Sequence, residues 1–140
     1  MDGIHLEYAV EGRNFASAGT ASVAVKNRLK QLGVSPDDIR RVSIAMYEGE
    51  INMVIHAGGG LAIADIYADH IDIQLKDEGP GIEDVELAMQ PGWSTADEQI
   101  NAMGFGAGMG LPNMVKYSDD FDIKTEVGKG TTVKMRIDFK

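Results

Sequence analysis

"VSPDDIRRVSIAMYEGEINMVIHAGGG", residues 34–60, carries the periodicity from which the rest of the chain can be read. Ser35 is placed to cap a helix, Pro36 suits its first position, and Asp38 completes a capping-box pattern. Ile39, Val42, Met46 and Met53 recur on one face at spacings of three, four and seven, the stripe of a core-facing helix. Gly58 to Gly60 read as its stop. The polar side carries Glu48, Asn52 and His56. Four residues advance a helix by about 400°, so each of the three lies about 40° round from the last. Glu48 and Asn52 therefore project together, with His56 one turn further at the edge. A carboxylate and an amide oxygen one turn apart can hold a hard cation or orient a nucleophile. The same pair also fits an ordinary solvated face.

Outward from that helix, residues 4–10 read as a strand and residues 16–32 as a helix closed by Gly33, with Val23, Val25, Leu29 and Leu32 as its apolar set. Residues 61–67 and 70–77 alternate as two strands around a "YADH" turn. Residues 83–103 are irregular. Residues 109–118 are helical, with Pro112 in the first turn. "FDIKTEV" and "TTVKMRIDF" form a hairpin closed by "GKG". The order implies one domain, residues 1–140, built as an α/β (α+β) two-layer sandwich. Its helices lie on one face of a mixed, mostly antiparallel sheet.

With 140 residues, no cysteine and no long apolar run, the chain reads as a cytoplasmic protein without disulfides, thiolate metal sites or a membrane span. Its net charge of −9 argues against direct nucleic-acid binding, which depends on neutralising phosphates. No Lys or Arg occurs between Lys76 and Lys116, where acidic residues are frequent.

Two glycine-rich turns frame that stretch. "DEGPGI", residues 77–82, closes a strand, and "GFGAGMGL", residues 104–111, leads into a helix. Glycines there leave backbone amides free to cradle phosphates at a helix N-terminus. Neither a G-x-G-x-x-G register nor a P-loop Gly-Lys-Ser/Thr is present. "VAVK", residues 23–26, imitates a protein-kinase lysine motif but lacks every companion motif.

Together these segments resemble the Bergerat-fold ATPases shared by DNA gyrase, the ninety-kilodalton heat-shock chaperone, histidine kinases and mismatch-repair ATPases. Within them the chain looks most like the small serine/threonine switch kinases of bacterial sigma-factor pathways. "EGEINMVIH" stands as the N-box, "DEGPGI" and "GFGAGMGL" as the two glycine boxes, and "GKGTTV" as the closing Gly-Thr motif. The resemblance implies ATP and Mg²⁺ as cofactors. It makes Glu48 the general base, Asn52 the Mg²⁺ ligand and Asp77 the acceptor of the adenine amino group. It assigns Gly79 and Gly81 to the base, and Gly104, Gly106, Gly108 and Gly110 to the phosphates beneath a lid holding Trp93, Ser94 and Thr95. Thr131 supports the adenine contact, and the strand alternation independently puts Thr131, not Thr132, on the face of Val133, Met135 and Ile137. His56 is read as an edge-of-core residue, and Trp93 and Met103, Met109 and Met114 as packing residues. The implied function is phosphorylation of a serine on a STAS-domain partner of a sigma pathway. The alternative is an ATP-gated binding module with incidental turnover. A homodimer is compatible with either.

Overall fold

A computed structural model describes residues 3–11, 19–56, 59–77 and 110–140. The elements run β1 (Ile4–Glu11), α1 (Thr20–Gln31), α2 (Pro36–His56), β2 (Gly59–Ile66), β3 (His70–Lys76), α3 (Gly110–Tyr117), β4 (Asp120–Glu126) and β5 (Gly130–Asp138). The strands form one sheet in the order β1-β2-β3-β5-β4, and each described pairing is antiparallel. The expected two-layer α/β arrangement is therefore present.

Register explains why one face is apolar. Leu6 pairs with Ala64, Ala64 with Ile73, Ile73 with Met135, and Met135 with Phe121, so a single row crosses all five strands. Side chains alternate along each strand, so the neighbouring rows point the other way and carry Glu7, Asp65, Asp72, Lys134 and Arg136. The helices cover the apolar face. From α1 come Ala21, Val25 and Leu29, and from α2 Ile39, Val42, Met46 and Met53, all buried. The α2 stripe is the one its spacing predicts. In α1 the assignment is half right: Val23 is 54% exposed and Leu32, the C-cap residue, is exposed too. Two residues turn a helix by about 200°, so Val23 cannot share the face of Val25.

Ser35 caps α2 as expected, its Oγ accepting the Asp38 amide at 3.3 Å. Asp38 then departs from the simple box. Its buried carboxylate accepts from Ser35 Oγ (2.9 Å), Arg41 (2.8 Å) and the Lys140 amide (3.0 Å). Arg41 also reaches Asp119 and the Asp138 carbonyl, so the start of α2 is fastened to the far end of β5. Burial alone would raise the Asp38 carboxyl, but Arg41, the Lys140 amide and Ser35 outweigh it and hold it below the ordinary value. A depressed folded-state pKa contributes stability above the unfolded value, near 4, and loses it as pH falls through the folded one. Asp38→Asn should accordingly lower Tm at neutral pH, with the gap to the parent protein narrowing below about pH 4. A gap that stayed constant in a thermal-melt series across that range would contradict this account.

The glycines at the α2–β2 junction do more than stop a helix. Gly59 adopts φ 97, while Gly59 and Gly60 pair with Glu11 and Val10 as strand residues. The strand begins two residues earlier than its alternation suggests, because glycines carry no hydropathy signal.

Candidate functional site

Glu48 and Asn52 stand one turn apart on α2, both half-buried, as their spacing requires. Burial pushes the neighbouring Tyr47 phenol up, and the Glu48 and Glu50 carboxylates add to that shift. A carboxylate and an amide one turn apart are a hard-oxygen set that suits Mg²⁺ when phosphates and waters complete its shell.

Asp77 follows β3 and Thr131 lies in β5. Two hydrogen bonds join them: the Asp77 amide donates to the Thr131 carbonyl (2.9 Å), and the Thr131 amide donates to the Asp77 side-chain Oδ1 (3.1 Å). Thr131 Oγ1 meets Thr125 Oγ1 at 2.8 Å. Thr131 is buried on the face of Val133, Met135 and Ile137, as the alternation predicted. Two residues 54 positions apart in sequence are therefore brought together. Gly110 opens α3. Gly79, Gly81, Gly104, Gly106 and Gly108, with Trp93, Ser94, Thr95, Met103 and Met109, lie outside the described residues, as does the His56 side chain. Met114 is fully buried, in line with its reading as packing.

Sequence reasoning marks Gly49 as a costly helix position that allows a close contact without naming its partner, and it misses the parts played by Gly60 and Glu50. Gly49 lets α2 settle onto the sheet: a Cβ there would lie 2.0 Å from Leu75 Cδ1 and 3.2 Å from Met114 Sδ. Its helix penalty of roughly 1 kcal/mol is the cost of that approach beside Glu48. Gly60 faces Asp77. A Cβ on it would meet the Lys76 carbonyl oxygen at 2.1 Å and Asp77 Cα at 3.1 Å, and neither is a yielding side-chain end. Gly60→Ala should destabilise the fold by about 2–3 kcal/mol and weaken nucleotide binding by displacing Asp77. Unchanged stability and unchanged ATP affinity in that variant would remove Gly60 from the site.

The third is Glu50, whose side chain is directed away from solvent and toward α1. The Gly19 and Ala21 amides donate to its Oε2 (3.0 and 3.1 Å), and the Ser22 amide and hydroxyl donate to its Oε1 (2.9 and 2.7 Å). Gly19, the α1 N-cap residue, has φ 95 and no capping side chain of its own. A carboxylate 31 residues away does the capping, where the helix dipole favours negative charge.

The pattern describing the histidine kinase-like ATPase domain matches residues 14–137. The chain belongs to that family. It is 34% identical over 137 residues to an anti-sigma F factor of Caldanaerobacter subterraneus, covering 94% of this chain and 90% of the relative. It is 31% identical over 113 residues to the serine/threonine-protein kinase RsbT of Bacillus subtilis, covering 78% and 79%. Among solved structures, the SiaB-SiaC complex from Pseudomonas aeruginosa superposes with a TM-score of 0.64 at 12% identity, over 94% of this chain and 88% of that one. The mycobacterial sensor histidine kinase MprB follows at 0.54 and 14% identity, over 98% and 99%; both likenesses concern the fold. By its sequence relatives this family member is an ATP-dependent protein kinase of the serine/threonine, regulatory kind. No helix among the described residues is long and apolar enough to cross a membrane.

Proposed function

We propose that this kinase phosphorylates a serine on a STAS-domain partner and so acts as a cytoplasmic switch in a sigma-factor pathway. The observation that most supports a working nucleotide site is the Asp77–Thr131 exchange, which fixes a carboxylate at the end of β3. In this reading Asp77, backed by Thr131 and approached closely at Gly79 and Gly81, accepts the adenine amino group. Gly104, Gly106, Gly108 and Gly110 offer backbone amides to the phosphates. Asn52 holds Mg²⁺, which would supply the positive charge that phosphoryl transfer needs. Glu48 accepts the proton of the attacking serine hydroxyl as the new Oγ–P bond forms and the bond to ADP breaks.

Because residues 77–115 contain no Lys or Arg, the triphosphate charge has few partners on this chain beyond amides and the metal. ATP binding measured by calorimetry should therefore depend strongly on Mg²⁺, and Asn52→Ala should lose the magnesium-dependent part. Mixing the kinase, ATP and a purified STAS domain should add one phosphate to a serine, read by intact mass. Equal ATP affinity with and without Mg²⁺ would refute the role given to Asn52. Binding without any transfer to STAS partners would leave the ATP-gated binding module.

A further inference from the structure

Charge on this chain is segregated. The molecule has 13 basic and 22 acidic residues, yet residues 20–44 hold five basic and two acidic ones. One of those two, Asp38, is buried and already paired with Arg41. Lys26 and Lys30 from α1 and Arg40 from α2 stand over a groove of about 450 Å³ whose apolar lining includes Val34, Ile39 and Ile44. Arg40 is steadied across the Tyr117 ring, 5.8 Å from its centroid. The groove does not end at the cations. Val23, three residues before Lys26, lies 54% exposed on α1, and Tyr47, four residues after Ser43, lies 39% exposed on α2. Positions three, four and seven apart share a helix face, so these apolar side chains prolong the same trough.

From these features we infer that the α1–α2 groove is a second docking surface, and that it receives an acidic amphipathic helix of a partner protein. The two walls are consecutive helices joined by a short turn, so a third helix laid between them buries apolar residues at their regular spacing. Its flanking carboxylates meet Lys26, Lys30 and Arg40. A basic or neutral helix would gain the apolar contact but lose the steering and partner selection that charge provides. Arg40 and Asn52 are twelve residues apart on α2, roughly 18 Å along the axis, so the cationic end of this surface lies away from Asn52, while its Tyr47 end adjoins Glu48. The inference stands whether or not the proposed substrate is right.

The test uses the full chain and a fluorescein-labelled synthetic helical peptide with leucines at i, i+3, i+4 and i+7 and glutamates on both flanks. Anisotropy should report binding that weakens about tenfold or more in the K26E/K30E double variant and at high salt. S43W, which fills the trough without touching a cation, should abolish it. A K124E/K134E control on the polar face of the sheet should bind like the parent protein. ATP affinity should be the same in all these variants, which also shows that they fold. No peptide binding, equal binding of a lysine-flanked version, or indifference to both groove variants would overturn the proposal. So would preference for duplex DNA or anionic vesicles over the acidic peptide.

Discussion

Replacing Glu48 by Gln is expected to slow phosphoryl transfer by about 10²- to 10⁴-fold, the usual loss when a positioned general base is removed. The variant keeps size and helix propensity, and Glu48 is only half-buried, so the fold should be little affected. ATP affinity should stay within about twofold, because the proposed roles give the adenine contact to Asp77 and Thr131 and the metal contact to Asn52. The measurement is single-turnover transfer to a STAS domain, beside calorimetry of ATP. A variant that transfers at the parent rate would exclude Glu48 as the base. A variant that loses transfer yet retains every cellular effect would shift the function toward ATP-gated binding. Neither outcome can be confused with a failure of the nucleotide site, since binding is read separately.

What could be read from the sequence follows from how each signal is encoded. The α2 face was legible because its apolar positions obey the helix period over about four turns, and that period also places Glu48 and Asn52 together. Thr131 was legible for the corresponding reason in a strand. The pairing of Asp77 with Thr131 was expected only through resemblance, because no local pattern encodes which strand ends meet. Gly59 and Gly60 misled the reading of the α2–β2 boundary, since a glycine reads as a break even where a positive φ, as at Gly59, or a neighbouring backbone, as at Gly60, demands one. Glu50 was invisible for a different reason. Between Gly49 and Ile51 it reads as one more acid on a polar helix side, and its burial depends on how α1 crosses α2.

Truncating Glu50 is the second large effect to expect, this time on stability. Glu50→Ala would strand three backbone amides and the Ser22 hydroxyl at the start of α1. Each buried unsatisfied group costs about 1–3 kcal/mol, less where water can enter, so a total near 3 kcal/mol and a Tm fall of about 10 °C are expected. Glu50→Gln separates charge from shape. All four groups present hydrogens to the carboxylate, and an amide can turn only one oxygen toward them. With that oxygen at the Gly19 and Ala21 amides, the new NH₂ can donate to the Ser22 hydroxyl, leaving the Ser22 amide unsatisfied. The order of stability should therefore be Glu, then Gln, then Ala. Because Glu50 sits between Glu48 and Asn52 in sequence, Glu50→Gln should also lower transfer more than it lowers ATP affinity. Equal melting of all three proteins would mean that α1 is capped by some other group and that Glu50 is dispensable to the catalytic turn.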